Sequence, residues 1–457
     1  RHRDGAEAFS RSDPHLRRLA SQPLVWRSPL LDELPRTEPG IYTLGGARQI
    51  GKTTLLKQWM QLLLEKRRRP DRIAYLTGEL IGDHHALVRL VQEELEAAPG
   101  SGPSYLVVDE ITYVSGWQRG VKFLADAGLL DRSVLILTGS DLSVISEART
   151  QLPGRRGRAE RVDYHLHPLT FTESCGLRGV LAAEERRVLE RGSTRAVKAL
   201  PGDAWDRLEL ALERYLIHGG FLTAMNDLED SGKLRPATLA TYSDWIRGDV
   251  LRRGKGEVYL REVLGAVDRR LGSQVTWNAL SRDLSIDHPA TVADYVHLLE
   301  AMDALFVQPA LREDRLAAAP KKARKVVPCD PFILHAIRSW LRPTAAPHEE
   351  TVVPLVEDPE RSGPLVEACV AAHARRHFPT YTIKAAGEVD VAIVHRDRFW
   401  PIEVKWRSQP HPKDLRQIAK YRDGGIAAPV RERREIGGVP VRPLPWVLAR
   451  LGAGRWP

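Results

Sequence analysis

The sequence predicts an α/β protein whose N-terminal half is a parallel sheet with helices on both faces. Four short apolar runs alternate with three segments of helical spacing: 41–44, 52–66, 73–76, 84–97, 105–108, 116–127 and 134–138. Strands that alternate with helices imply parallel pairing, because each helix returns the chain to the edge from which the next strand starts. A glycine-rich turn after the first strand places a candidate binding site at the carboxyl edge of this sheet.

Composition restricts the class of protein further. With 457 residues, 43% of them hydrophobic, the chain is expected to form several soluble globular domains. No apolar run approaches the roughly 20 residues that a membrane span needs, so no membrane partner is expected. Three widely spaced cysteines fit neither a disulfide framework nor a zinc site, which favours a reducing cytoplasm. The net charge of +9 suits a polyanion such as DNA, although scattered solvated charges explain it equally well.

The turn after the first strand matches the phosphate-binding pattern G-x-x-x-x-G-K-[ST]. Glycines let backbone N–H groups curl around phosphate oxygens, and the following helix presents its positive end to the anion. In this pattern Lys52 reaches the β- and γ-phosphates and the Thr53 hydroxyl is a Mg²⁺ ligand. We therefore predict ATP and Mg²⁺ as cofactors. The nucleotide-binding residues are Gly46, Ala47, Arg48, Gln49, Ile50, Gly51, Lys52, Thr53 and Thr54.

Acidic and small polar residues end the next two strands. The strand at 105–108 runs into Asp109 and Glu110. Asp109 is assigned to Mg²⁺ and Glu110 to polarising the attacking water as a general base. If the strand continued, the two side chains would point to opposite sides and so divide these roles. At the end of the following strand, Thr138 or Ser140 is a candidate for sensing the γ-phosphate, with an ordinary strand-end turn as the alternative.

Several arginines follow that strand: Arg155, Arg156, Arg158 and Arg161. A guanidinium group can neutralise charge that develops on a transferring phosphoryl group. Arg155 is our candidate for this catalytic role, and a basic loop on a basic protein is the alternative.

Further short motifs continue the series: Gly46-Ala-Arg-Gln-Ile-Gly-Lys-Thr-Thr-Leu-Leu, Asp109-Glu-Ile, Trp117 ahead of Lys122-Phe-Leu-Ala-Asp-Ala-Gly, Leu137-Thr-Gly-Ser, Leu152-Pro-Gly-Arg, Leu166-His-Pro-Leu-Thr-Phe and Tyr215-Leu-Ile-His-Gly-Gly-Phe. Together they resemble the AAA+ ATPases of bacteria and archaea that carry an uncharacterised C-terminal region. The resemblance implies ATP hydrolysis by a homo-oligomer, such as a hexameric ring, in which the neighbouring subunit supplies Arg155. The sequence departs from the family at Ala47, where Pro is frequent, and at Thr112, where Gln is.

The segment 251–341 predicts a winged helix-turn-helix, with helical patterns around a polar turn and a strand near 304–309. Its second helix could enter a DNA major groove through Thr291, Asp294 and His297, although phosphates would repel Asp294. Winged helices also serve as packing modules, which is the alternative. A better candidate for phosphate contacts is the basic stretch of Lys321, Lys322, Arg324 and Lys325.

The C-terminal region predicts a β-hairpin at 387–405, with Asp390 on one strand and Glu403-x-Lys405 on the next. Residues i and i+2 of a strand face the same side, so Glu403 and Lys405 converge. This pattern resembles the restriction-endonuclease-like nuclease fold with its Asp…Glu-x-Lys signature. The resemblance implies that Asp390 and Glu403 hold Mg²⁺ while Lys405 orients or activates water for attack on a phosphodiester.

Other residues fit the same nuclease-like pattern. A helix before the hairpin could bring Glu367 to the site, and Gln417 and Tyr421 resemble an accessory motif of exonuclease-type members. Such domains also persist as binding or structural modules without activity. His373 and His377 have helical i, i+4 spacing, but no acidic or cysteine partner follows at ligand spacing, so a structural or solvated pair is expected.

These patterns predict an N-terminal segment, a P-loop ATPase core, a helical connector, a winged-helix-like domain, a linker and a nuclease-like domain, at 1–40, 41–170, 171–250, 251–341, 342–363 and 364–457. Three functions are consistent with them. The first is an ATP-driven motor or remodeller acting on DNA. The second is an ATP-dependent nuclease, and the third is a nucleotide-switched signalling or scaffold protein.

Overall fold

The computed structural model describes residues 5–98, 102–139, 142–198, 200–282, 284–385, 387–406 and 412–456. The chain divides into two compact units. Unit 1 comprises residues 1–167 together with Ala301–Asp303, and unit 2 comprises Pro168–Glu300 and Ala304–Pro457. Within the described residues, no helix combines the length and the apolar character that crossing a bilayer requires.

The described helices and strands of unit 1 alternate through most of its length. In chain order they are α1 (Ala6–Ser12), α2 (Pro14–Ala20), α3 (Leu30–Glu33), β1 (Gly40–Gly45), α4 (Lys52–Glu65), β2 (Ile73–Thr77), α5 (His84–Glu96), β3 (Ser104–Asp109), α6 (Trp117–Asp126), β4 (Ser133–Thr138), α7 (Ser143–Gln151) and β5 (Asp163–His165). Short 3₁₀ turns occupy Pro70–Arg72, Gly78–Leu80 and Ile111–Tyr113.

Five parallel strands form the sheet of unit 1 in the order β2-β3-β4-β1-β5. Strands β1, β3 and β4 are buried at every position, because helices cover both faces. Along β3, Tyr105 and Val107 pack with the α4 side, whereas Leu106 and Val108 pack with α5, α6 and α7. The predicted α/β class with a helix-covered parallel sheet is confirmed.

Unit 2 consists mainly of helices in its first part and contains a mixed sheet in its last part. Its described helices are α8 (Phe171–Leu177), α9 (Ala183–Arg191), α10 (Thr194–Lys198), α11 (Gly202–His218), α12 (Leu222–Ser231), α13 (Pro236–Arg252), α14 (Glu257–Arg269), α15 (Trp277–Ser281), α16 (Pro289–Ala301, whose last residue belongs to unit 1), α17 (Pro331–Leu341), α18 (Val353–Glu357), α19 (Pro359–Arg375), α20 (Pro412–Ile418) and α21 (Leu444–Gly452).

The strands of unit 2 form two small ribbons and one larger sheet. They are β6 (Leu305–Gln308), β7 (Leu311–Arg312), β8 (Ala317–Ala318), β9 (Lys325–Pro328), β10 (Thr380–Lys384), β11 (Glu388–His395), β12 (Arg398–Val404), β13 (Gly425–Ala428), β14 (Arg434–Ile436) and β15 (Val439–Pro443). Antiparallel pairs join β6 to β9 and β7 to β8. The six-stranded sheet has the order β10-β11-β12-β13-β15-β14, antiparallel at both ends and parallel across β12, β13 and β15.

Helices occur both in the segment predicted as a linker and in the N-terminal segment. The predicted linker at 342–363 contains a π-helical turn at His348–Val352, then α18 and the start of α19. Val352 and Leu355 are buried there, so apolar side chains among the Pro, Glu and Asp residues decide the outcome. The N-terminal segment likewise forms α1 to α3, because Phe9 and Leu16 are buried in the same core as α4.

Candidate functional site

The loop between β1 and α4 has a backbone shaped for an anion. Gly46, Gln49 and Gly51 have positive φ angles of 146°, 62° and 101°. A Cβ atom on Gly46 would lie 2.6 Å from the carbonyl oxygen of Leu166, so only glycine fits there. Helix α4 starts at Lys52, and among the described residues no side chain caps its N-terminus. The free N–H groups of its first turn and the curled loop together form a concave cradle for phosphate.

The Lys52 side chain is folded back onto the loop that precedes it. Its ammonium group donates to the carbonyl oxygens of Gly46 and Ala47, at 2.9 and 3.0 Å, and the residue is 5% exposed. Burial lowers the pKa of Lys52, although the carboxylates of Glu110 and Asp109 act in the opposite direction. In the described part of the chain, the Lys52 ammonium group donates to two backbone carbonyl oxygens. A phosphate would give this buried charge an anionic partner instead.

Asp109 is the centre of the polar contacts at the carboxyl edge of the sheet. It ends β3, is 3% exposed, and accepts hydrogen bonds from the hydroxyl groups of Thr53, Tyr75 and Thr138. The bonds from Thr53 and Tyr75 reach the same oxygen, Oδ2, at 2.6 and 2.7 Å. A cation would find a preoriented carboxylate here, with the Thr53 hydroxyl beside it, which is the ligand chemistry that Mg²⁺ prefers.

Glu110 has a backbone conformation that ends the strand. Its φ angle is 54°, in the left-handed region, so β3 stops at Asp109 rather than continuing with alternating side chains. Its N–H donates to Thr138 Oγ1 at 2.9 Å, and a Cβ on Gly78 would lie 2.3 Å from its carbonyl oxygen. Glu110 Oε2 is buried, and none of the residues that the structure describes makes a hydrogen bond to it. Burial raises the pKa of Glu110, and the Lys52 ammonium offsets this only in part.

Three metal-ligating side chains lie close together elsewhere in unit 1. The ligand atoms of His165, His167 and Asp303 are all within 4.8 Å of one another, and they are the described residues that meet this criterion. His165 Nε2 lies 2.8 Å from Asp303 Oδ2, and the rings of the two histidines are tilted by 35° with centroids 3.7 Å apart. Asp303 also acts on Lys52, where it favours the charged form.

A second polar cluster lies in unit 2 and contains the residues of the nuclease-like signature. Lys405 Nζ contacts Glu403 Oε1 at 2.8 Å, and the N–H of Val404 donates to Asp390 Oδ2 at 2.9 Å. Lys325 Nζ lies 2.9 Å from Glu367 Oε2 and 3.0 Å from Asp390 Oδ1. The structure thus brings together Glu367, Asp390, Glu403 and Lys405, and adds Lys325.

Burial strongly affects the acids of this cluster. It raises the pKa of Glu403 to about 8 and that of Glu367 to about 7, with the charge of Asp390 as the next contribution to both. Burial also opposes ionisation of Asp390, but Lys325 and Lys405 outweigh it and lower its pKa. The other predicted members, Gln417 and Tyr421, contact each other at 3.3 Å, and Tyr421 also contacts Glu313.

Comparison with known proteins gives one assignment for unit 1. Residues 38–175 match an AAA domain. Residues 209–344 and 362–434 match two domains of unknown function, DUF8612 and DUF4143. An uncharacterised protein of Haemophilus influenzae is 25% identical over 272 residues, which cover 57% of this chain and 60% of the relative.

Solved structures similar to this chain include a Walker-type ATPase. The Walker-type ATPase paby2304 of Pyrococcus abyssi is 18% identical with a TM-score of 0.37, covering 74% of this chain and 96% of the other. The Aeropyrum pernix Orc1 protein, solved in complex with DNA, is 14% identical with a TM-score of 0.31, covering 76% and 93%. A RuvB variant of Thermotoga maritima is 17% identical with a TM-score of 0.26, covering 59% and 82%.

The arginines in the region that matches an AAA domain have different surroundings. Arg155 forms an exposed ion pair with Asp126, with its Nε 2.5 Å from Oδ1. Arg156 is buried, and it donates to Ile41 O and Val162 O and pairs with Asp163, so it is a structural residue. Thr138, the first sensor candidate, contacts Asp109 and Glu110 as described above. Ser140, the second, lies outside the described residues.

The structure corrects our prediction for the basic stretch before β9. Lys321 and Lys322 are exposed, but Arg324 is stacked 4.6 Å above the Trp277 ring and Lys325 is 3% exposed. Lys325 is therefore unavailable to a phosphate on the surface, because its ammonium group is engaged with two carboxylates. The stretch enters a strand at Lys325, and this strand is buried at all four positions.

The second helix of the predicted winged helix carries mixed charges. Asp294 and His297 on α16 are exposed and Thr291 is partly exposed. Asp294 lies 3.6 Å from Lys255, and His297 lies 3.5 Å from Glu300. DNA reading by this helix stays a prediction.

Proposed function

We propose that the chain is a Mg²⁺-dependent ATPase. The observation that supports this most strongly is the group around Asp109, where Thr53 and Tyr75 donate to one carboxylate oxygen next to the Gly46–Gly51 turn. A carboxylate and a hydroxyl at this distance suit a hydrated divalent cation, and the loop backbone suits phosphate. Unit 1 also supplies a lysine and a second carboxylate to the same edge of the sheet.

Each of these residues has a role in the proposed reaction. The N–H groups of the loop and of the first turn of α4 bind phosphate oxygens, and Lys52 leaves its two carbonyl partners to contact the terminal phosphates. Thr53 and Asp109 would hold Mg²⁺, which when bound neutralises charge on the phosphates. Thr138 fixes the backbone of Glu110 through the N–H bond, so the carboxylate has a defined position from which to accept a proton from water.

Two substitutions test this assignment. Lys52→Ala is expected to lose nucleotide binding, because the loop then has no ammonium group for the phosphates. Glu110→Gln should still bind ATP but turn it over about 10²- to 10⁴-fold more slowly, since a neutral amide cannot accept the proton. Binding is measured with a fluorescent nucleotide and turnover by phosphate release. Unchanged turnover in Glu110→Gln would show that this residue is not the base.

The assembly we propose is a homo-oligomer, such as a hexameric ring, whose ATP site is completed by Arg155 of a neighbouring copy. The Arg155 side chain is 30% exposed, and its partner Asp126 is an exposed carboxylate rather than a buried one. An exposed ion pair of this kind contributes little to stability, so exchanging Asp126 for a phosphate costs little.

DNA is the partner that we propose for an ATP-driven motor or remodeller. The net charge of +9 supports a polyanionic partner, and Lys321 and Lys322 offer exposed positive charge in unit 2. ATP turnover with and without single-stranded, duplex and branched DNA separates this function from a nucleotide-switched scaffold. Stimulation is expected for the motor, whereas equal rates under all conditions would favour the scaffold.

A nuclease is a second candidate because Asp390 and Glu403 lie on the adjacent strands β11 and β12, and Lys405, the residue after β12, contacts Glu403. Mg²⁺-dependent nicking that is lost in Glu403→Ala would support it. Metal-assisted cleavage of a phosphodiester at this cluster requires that its carboxylates bind a divalent cation.

A further inference from the structure

Lys325 occupies the interior of the nuclease-like cluster. It is the first residue of β9 and is 3% exposed, and its ammonium group lies between the carboxylates of Glu367 and Asp390 at 2.9 and 3.0 Å. Glu367 comes from α19 and Asp390 from β11. One positive charge therefore neutralises acids from two separate elements, which is the task that a divalent cation performs in a two-carboxylate site.

The β6–β9 ribbon holds this lysine in a defined register. Gln308 is the direct partner of Lys325 across the ribbon and is 1% exposed. Its amide nitrogen donates to the carbonyl oxygens of Asp390 and Tyr381, at 2.9 and 2.7 Å. Two opposed residues of the ribbon thus bind the same residue, Asp390, one through its carboxylate and one through its backbone. Lys325 is consequently a built component of the cluster rather than a surface side chain that has folded inward.

The space beside the lysine is too small for a hydrated cation. The cavity lined by Gly272, Gln308, Lys325, Glu367 and Asp390 has a volume of about 10 Å³. One water needs roughly 10–15 Å³ on this measure, and Mg²⁺ normally keeps several waters in an octahedral shell.

The charges and positions of the acids also argue against a bound cation in this cluster. Three carboxylates, those of Glu367, Asp390 and Glu403, face two ammonium groups, those of Lys325 and Lys405. In the described part of the chain, the three carboxylates do not bring their oxygens within 4.8 Å of one another, whereas the side chains around His165 do. The residues therefore do not fit the cation that the nuclease-like pattern implies.

We propose that Lys325 takes the place of the divalent cation in this cluster, so that the C-terminal domain binds neither Mg²⁺ nor Mn²⁺ there. The cluster then acts as an internal ion-pair joint that fixes the β6–β9 ribbon to α19 and β11. Metal-assisted cleavage of phosphodiesters does not take place at this site, and any DNA contact by the domain is independent of divalent ions.

Mn²⁺ binding to the full chain tests the proposal directly. Free Mn²⁺ is counted by electron paramagnetic resonance without nucleotide, in a parent that carries Asp109→Asn so that the ATP site does not contribute. The parent is expected to bind no Mn²⁺ that depends on Asp390. Adding Lys325→Ala removes the charge and opens space, so one additional Mn²⁺ per chain is expected, and Asp390→Asn should abolish it. Lys325→Met removes the charge but keeps the bulk, and should gain no ion.

A matched control and a second readout make the result decisive. Lys322→Ala removes an exposed lysine three residues away and should bind as the parent does. The Lys325→Ala protein should unfold at a lower temperature than the parent, and Mn²⁺ should raise that temperature part of the way back. The unfolding temperature of the parent should not change with Mn²⁺. An Asp390-dependent Mn²⁺ in the parent would overturn the proposal, as would a folded Lys325→Ala protein that gains none. If that variant fails to fold, the comparison of the parent with its Asp390→Asn derivative decides alone.

Discussion

The Thr138 hydroxyl group offers a quantitative test of how the ATP site is held together. It is fully buried, donates to Asp109 Oδ1 and accepts from the Glu110 N–H at 2.9 Å. Thr138→Val keeps the shape and removes both bonds. The bond to the charged carboxylate is worth roughly 1.5–3 kcal/mol, and a buried N–H left without a partner costs roughly 1–3 kcal/mol. We therefore expect a local loss of stability of about 3 kcal/mol.

Native-state hydrogen exchange is the appropriate assay, because a chain with two compact units need not unfold in a single step. A loss of about 3 kcal/mol corresponds to roughly a hundredfold fall in protection, expected in peptides that cover β3 and β4. ATP turnover should fall by roughly tenfold to a hundredfold, because Glu110 is no longer positioned. Thr138→Ser keeps the hydroxyl and should lose little of either. If the Thr138→Val protein showed the same hydrogen exchange and the same ATP turnover as the wild type, Thr138 would not organise the site.

Three further outcomes are expected. Burial raises the pKa of Glu110 above the usual glutamate pKa of 4.5. ATP turnover should therefore rise with pH in a range above 4.5, as the carboxyl group loses its proton. The pH–rate profile of Glu110→Gln should lack this rise. Mixing Lys52→Ala with Arg155→Ala subunits should restore some hydrolysis at hybrid interfaces, whereas a monomer with full activity would refute completion in trans. Replacing Lys321 and Lys322 by Ala should weaken DNA binding to all sequences about equally and flatten its salt dependence, and unchanged affinity would exclude this surface.

The local motifs could be predicted from the sequence because each is continuous along the chain. The seven elements predicted between residues 41 and 138 agree with the observed ones to within a few residues, since apolar spacing records which face is buried. The hairpin of β11 and β12 is present as predicted, and Glu403 contacts Lys405. In each case the interacting residues are neighbours in sequence or lie on consecutive elements.

Residues that join the sites from a distance were missed. Tyr75 reaches Asp109 from the middle of the adjacent strand β2, and no polar motif surrounds it in the sequence. Asp303 follows α16 and belongs to unit 1 although most of its neighbours in sequence belong to unit 2. Lys325 was assigned to the surface because it lies among other basic residues. The apolar pair at Val326 and Val327 was the one sequence signal that Lys325 begins a buried strand. The acidic partners of Lys325 are far away in the sequence.

The contact between Lys325 and Asp390 also limits how far the last domain can be treated as a separate module. A fragment that begins at α19 keeps Glu367, Asp390 and Glu403 but loses both Lys325 and Gln308. Glu367 and Asp390 would be left without the Lys325 ammonium group and would face an opened cavity, which is the condition under which carboxylates capture divalent cations. Such a fragment could bind metal, and even support metal-dependent reactions, that the intact chain does not. Transplanting this domain onto another protein would require the ribbon to be carried with it.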